Sequence, residues 1–257
     1  MQLALRLVVL GVLLPCAVLA QPMVTISGQV TDRQGQPVSR CDVIFNPSSW
    51  IGDDSLYFKC DAEGRYLAEI PAGHYNSMYS LDLPEYGKTQ LEFWGWNLQF
   101  VQDEVIDIAF DTIEVYSLSV WASNGGSQSI FAAFRPMHLA SALEPKIFNQ
   151  TIAGKEKAIF DITPELDARS IEGSIDGQPI ELLSHHWVYE RLNSCNNVPK
   201  TLNTENGCFM PMIVAQFVRP KLEEGKHLLR VRLTDLATGE IGEGITHFVS
   251  NQKGLGF

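Results

Sequence analysis

The chain has 257 residues, 45% of them hydrophobic, and a formal net charge of -11 at pH 7. That length allows one large domain or two ordinary ones, and that apolar content allows a sizeable core without metals or dense disulfides. An acidic chain with no basic stripe repels phosphate backbones, which argues against a nucleic-acid partner and otherwise keeps an exported protein soluble.

The opening MQLALRLVVLGVLLPCAVLA runs from one base, Arg6, through an apolar stretch to Ala20. This is the order of a secretory signal peptide, with cleavage expected after Ala20. The apolar stretch after Arg6 is about 14 residues, short of the ~20 that cross a bilayer. Cys16 would suit a lipoprotein signal, but Pro15 stands where such signals carry a small residue. Cleavage removes Arg6 and no acid, which takes the charge from -11 to -12. No second long apolar run follows, so the expected product is secreted or periplasmic, with no membrane span.

Cys41, Cys60, Cys195 and Cys208 remain after cleavage. An even count in an exported chain reads as two disulfides. Of the possible pairings, sequence neighbours fit best. Cys41 and Cys60 lie almost equidistant from Ile51, the centre of the loop NPSSWIGDDS, and would face each other across an antiparallel hairpin. A loop of that size contributes ~3 kcal/mol on the chain-entropy model. Zinc would need a Cys-x-x-Cys or a close Cys/His cluster, and neither occurs.

Residues 21–111 read as strands joined by polar turns. Val24, Ile26, Gly28 and Val30 alternate with Thr25, Ser27, Gln29 and Thr31, the period of a half-buried strand. Asp32-Arg33-Gln34-Gly35 then turns the chain: Asp bonds its own backbone two residues on, and Gly supplies a positive φ. A second strand begins near Ser39. Asp61 to Gly64 repeats the turn, and RYLAEIPAGHYNSMYSL reads as strand, turn and strand. KTQLEFWGWNLQF and EVIDIAF supply two more.

Three motifs, Gly28 to Pro37, Asp61 to Tyr66 and Pro71 to Tyr75, resemble the carboxypeptidase regulatory-like domain. The resemblance covers about ninety residues. It implies a seven-stranded, transthyretin-like β-sandwich that serves as an accessory module, and it brings no peptidase active site. The cysteine pair and the aromatic sixth strand depart from the family pattern.

Residues 112–257 follow without a Gly-, Ser- or Pro-rich linker, so a rigid pair of domains with aromatic residues buried between them is expected. IEVYSLSVWAS and SQSIFAAFRPMHL read as two strands. Residues 140–169 read as loop with a short helix. SIEGSIDGQPIELL is strand, with Asp176-Gly177 as a tight hairpin turn. HHWVYERL is strand, and NSCNNVPKTLNTENGC is a polar loop that Cys195–Cys208 would clip. The final EEGKHLLRVRLTDLATGEIGEGITHF resembles the last two strands of bacterial immunoglobulin-like domains. The fold class expected is therefore all-β, with two antiparallel β-sandwiches in tandem.

Candidate chemistry is sparse. Trp94 and Trp96 are assigned to one strand face together with Leu98 and Phe100, which reads as core or interdomain contact, or as a ligand platform. Trp50 at a hairpin tip, beside Asp53 and Asp54, is either an exposed contact or folded onto its sheet. His185 and His186 are adjacent on a strand and point to opposite faces, so they do not share a metal. Asp53, Asp54 and Asp61 are read as turn acids, because no twelve-residue calcium loop is present. Gly-x-Ser-x-Gly is absent, and oxidised cysteines supply no thiol nucleophile. These readings point to a non-catalytic binding or adhesion protein of the bacterial envelope, without cofactor or metal. Its partner would be an envelope or extracellular protein; the alternative is a polysaccharide bound by Trp50, Trp94 and Trp96.

Overall fold

A computed structural model describes residues 21–49, 52–123, 128–196, 202 and 204–250. The leader and Trp50 lie outside the described residues. The chain is all-β, as its alternating patterns require. In the first half the strands are β1 (Met23–Thr31), β2 (Asp42–Asn46), β3 (Leu56–Lys59), β4 (Arg65–Pro71), β5 (Gly73–Leu81), β6 (Phe93–Phe100), β7 (Glu104–Val105) and β8 (Ile108–Ala109). In the second they are β9 (Ile113–Ala122), β10 (Ser129–His138), β11 (Lys146–Ile152), β12 (Lys155–Asp161), β13 (Ile171–Ile175), β14 (Gln178–Ile180), β15 (Leu182–Arg191), β16 (Cys208–Val218), β17 (Gly225–Thr234) and β18 (Ile241–Ser250). One short helix, α1 (Leu139–Leu143), and a 3-10 turn at Ala168–Ser170 interrupt them.

Residues 140–169 differ from the loop with a short helix expected there. Most form the hairpin β11–β12, closed by Ala153 and Gly154 at φ 50° and 74°. Asp176 and Gly177, at φ 50° and 77°, close β13–β14 in the same mirror-image turn, here with the residue types that announce it. The two Asp-x-x-Gly turns are held by their aspartates. Asp32 Oδ1 accepts from the amides of Gln34 and Gln36 at 2.9 and 2.8 Å, and Asp61 Oδ1 from those of Glu63 and Arg65 at 3.0 and 2.8 Å. The turn after β1 does not pair β1 with β2. β1 joins β4, β7 and β8, while β2 crosses to pair with β3 and β5.

Three sheets result. The central one has eight strands in the order β14-β13-β17-β18-β6-β5-β2-β3, and it runs through both halves of the chain. Its middle joint is parallel, Gly244 opposite Trp94 and Thr246 opposite Trp96. The β4-β1-β7 sheet with β8 covers one half of it, and the sheet of β9, β10, β11, β12, β15 and β16 covers the other. Most pairs are antiparallel; the β1–β7, β1–β8, β12–β16 and β6–β18 pairs are parallel.

The covering sheets lie on opposite faces of the central sheet, and β18 shows this directly. Ile245 points into the first core with Phe45, Phe93 and Phe100, whereas Gly242 and Gly244 point the other way, beneath β9. A Cβ on Gly242 would stand 2.4 Å from the carbonyl oxygen of Ile113, and one on Gly244 2.8 Å from Val115 Cβ. The Gly-x-Gly spacing puts both on one strand face, which lets β9 cross at backbone distance.

Polar groups tie the halves together along this joint. Lys226 Nζ donates to the carbonyl of Gln99 at 2.8 Å and pairs with Glu104. His247 Nδ1 accepts from the Gln99 amide at 2.9 Å, while its Nε2 lies 3.2 Å from Glu104. Asp111 Oδ2 accepts from the Ile241 amide at 3.2 Å. Both disulfides join sequence neighbours: Cys41–Cys60 and Cys195–Cys208 have Cα atoms 5.3 and 5.5 Å apart.

Candidate functional site at the seam

The assignment of Trp94, Trp96, Leu98 and Phe100 to one face is corrected by the structure. Asn97 adopts φ 52°, and the strand turns over there. Leu98 and Phe100 face the first core, whereas Trp96 packs against the second and Trp94 stacks on it. Strict alternation fails at a single left-handed residue, and asparagine is among the few side chains that adopt that conformation readily. Trp94 is 2% exposed and Trp96 half-buried, so they do not form an open platform.

The two indoles lie 4.9 Å apart at 17°, and Tyr79 stacks on Trp94 at 4.8 Å. Tyr116 of β9 meets both edge-on, at 5.4 Å from Trp94 and 5.0 Å from Trp96. A second irregularity aims Tyr116. Ser117 adopts φ 58°, and Ser117 with Leu118 together oppose Phe134 of β10. A bulge of this kind re-aims side chains and recurs beside functional sites. The bulge sets Arg135 opposite Tyr116, with the guanidinium 4.7 Å over the phenol ring.

Trp96, Tyr116, Ser117 and Arg135 line a cleft of about 580 Å³; Trp94 and Tyr79 lie behind it. Asn76, Trp96, Tyr116 and Ser117 line one side; Phe160, Met210, Glu190 and Arg191 line another; Leu192, Asn193 and Ser194 close it. The closing segment abuts the Cys195–Cys208 bridge, beside a small apolar cluster that includes Leu192 and Phe160. Arg135 Nε stands 3.0 Å from Glu190 Oε2 without the alignment of a good hydrogen bond, and the buried indole N–H of Trp96 has no partner.

Beside the cleft, two carboxyls are buried. Glu92 is 8% exposed and Glu114 3%, and each has an oxygen without a hydrogen-bond partner. Burial raises the pKa of Glu92; burial, then the nearby charge of Glu92, raises that of Glu114 well above the usual range. The indole N–H of Trp94 stands near both without a well-aligned bond to either. Burial raises the Tyr116 phenol as well.

The residues singled out in the sequence therefore divide. Trp94 and Trp96 come together with Tyr116; the cysteines form two bridges; Trp50 lies outside the described residues. Among the described residues no group of three His, Cys, Asp or Glu side chains could hold a metal ion. Glu92, Glu114, Tyr116, Arg135 and Glu190 were not singled out. Glu92 to Trp94 and Glu114 to Tyr116 share a Glu-x-aromatic spacing that puts each pair on one strand face, and this was the available signal.

No protein-family profile matches the chain, and no curated protein does. Several solved structures align with it, among them these three. One is provisionally described as a carbohydrate binding protein from Bacteroides uniformis ATCC 8492; identity is 12%, with 88% of this chain and 99% of that one covered and a TM-score of 0.29. The others are DUF3823 family proteins from Bacteroides ovatus ATCC 8483 and Parabacteroides merdae ATCC 43184, both 12% identical at a TM-score of 0.27. The first covers 87% of this chain and 98% of its own, the second 89% and 100%. Superpositions this loose carry no argument about ligand.

Proposed function

We propose that the chain is a non-catalytic binding protein of the bacterial envelope whose seam cleft holds a saccharide. The observation that carries this is the lining of the cleft. Rings of Trp96, Tyr116 and Phe160 stand beside the amides of Asn76 and Asn193 and the hydroxyls of Ser117 and Ser194. A sugar ring offers an apolar C–H face and a rim of hydroxyls, and aromatic faces with converging polar groups match both. The carboxyls of Glu92 and Glu114 are buried and stand outside the cleft lining. Export is supported by the two disulfides and by the leader sequence; no described helix is long and apolar enough to cross a membrane. We assign residues 21–111 to the carboxypeptidase regulatory-like type on their motifs, which agrees with an accessory role.

The test is tryptophan fluorescence of the purified exported chain, titrated with a panel of soluble oligosaccharides. A saturable shift is expected, lost in Tyr116→Ala while the far-ultraviolet circular dichroism is retained. No shift across the panel sinks the saccharide reading.

A protein partner is the second reading, favoured by β15. That strand pairs only with β16 among the described residues, and Leu183, Trp187 and Val188 are exposed along it. An open edge of this kind accepts an added strand.

A further inference from the structure

We propose that the saccharide taken by the seam cleft is an acidic one, whose carboxylate pairs with Arg191; this rests on the saccharide reading above. The whole chain is acidic, with 30 Asp and Glu against 19 Lys and Arg, yet the cleft lining reverses the sign. It holds Arg135 and Arg191 against a single carboxylate, Glu190. Glu190 lies 3.0 Å from Arg135, whose guanidinium also covers the Tyr116 ring. Arg135 is thus engaged twice, and Arg191 is the cation left over. No carboxylate pairs with it among the described residues.

The backbone beside Arg191 makes room for it. Gly207 adopts φ 89°, and a Cβ there would stand 2.9 Å from Arg191 Nε. Any larger residue at 207 would displace the guanidinium as well as strain the turn. The adjoining wall, Asn193 and Ser194, supplies neutral groups for hydroxyls and adds no competing charge. A guanidinium offers two parallel N–H groups that match a carboxylate, and exposed Arg191 is open to a ligand. A neutral sugar would leave Arg191 without that partner.

The experiment is titration calorimetry of the exported chain with trimers of galacturonate, glucuronate and mannuronate, each against its methyl ester. The ester keeps the ring and hydroxyls and removes the charge. At low salt at least one acid is expected to bind 10-fold or more tightly than its ester, and raising the salt should weaken the acid alone. Arg191→Gln should bring the acid down to the affinity of the ester and leave the ester unchanged. If esters bind as tightly as acids, or if Arg191→Gln leaves the preference intact, this inference falls while the saccharide reading stands. If neither acids, esters nor neutral oligosaccharides bind, both fall.

Discussion

Strand β6 divides two regions built on different terms. On one side Phe93, Leu98 and Phe100 enter a core in which Phe45 meets Phe58, Tyr75 and Phe100 edge-on at 5.8–5.9 Å. On the other, Trp94 and Trp96 lie with Tyr116 beside two buried carboxyls and several polar atoms that lack partners. Apolar burial stabilises, whereas a buried polar atom left unpaired costs about 1–3 kcal/mol. The first region holds the fold together. The second sacrifices stability where left-handed Ser117 lines a cleft and left-handed Asn97 follows Trp96, which lines it too. A contrast of this kind agrees with the binding site proposed above.

The largest effect should come from the dry side. Phe45→Ala empties a fully buried ring site and should cost about 3–5 kcal/mol of unfolding free energy in urea. Saccharide affinity of the folded fraction should hold, because no first-core ring lines the cleft. Loss of affinity in parallel would mean that the two regions are not separable.

The disulfides sharpen the same contrast. Replacing Cys41 and Cys60, or Cys195 and Cys208, by serine should cost about 3 kcal/mol each on the chain-entropy model. Only the second pair should also weaken binding, since Leu192, Asn193 and Ser194 close the cleft beside it. Equal affinities in the two double variants would remove the loop from the site.

A smaller effect separates the regions by pH. Glu114 binds its proton more tightly when folded, because burial disfavours the charge and Glu92 adds repulsion. Its favourable contribution is complete below the ordinary carboxyl pKa and is lost as pH rises through the raised folded value. Glu114→Gln should therefore match the parent near pH 4 and exceed it in thermal midpoint at pH 8. Taking the difference between variant and parent removes groups of opposite sense such as Glu104. Burial alone would raise Glu104, but His247 and Lys226 hold it low. A difference that is flat with pH would mean Glu114 is not strained.

What the sequence disclosed follows the same division. The turns at Asp32, Asp61 and Asp176 carry the residue types their geometry demands, so the strands around them were readable, and the disulfide pairing followed from the hairpin. The cleft was not readable. It depends on left-handed Asn97 and Ser117 inside strands, where alternation predicts no reversal. It also depends on the pairing of Gly244 with Trp94, two residues far apart in the chain with no local motif announcing that they meet. Glu-x-aromatic occurs at the start of β6, from Glu92, and within β9, but one long-range contact had to be known before the two copies could be joined.

The smallest effect tests why one hairpin was missed. β11–β12 turns through Ala153 and Gly154, and Ala153 bears a left-handed φ of 50°. That conformation costs an alanine roughly 1–2 kcal/mol, and asparagine relieves part of it by bonding locally. Ala153→Asn should raise unfolding free energy by about 0.5–1 kcal/mol. It adds no clash, because Ala153 itself is exposed. Asp176→Ala, at the equivalent corner of β13–β14, should move stability the other way. It would lose more than Ala153→Asn gains, since Asp176 also accepts from the Leu228 amide at 2.9 Å and pairs with His227 at 2.6 Å. Opposite signs at the two corners would show that the sequence was silent at Ala153 because the natural residue is the wrong one for its own turn. Equal signs would mean that strand pairing, and not the turn, sets that hairpin.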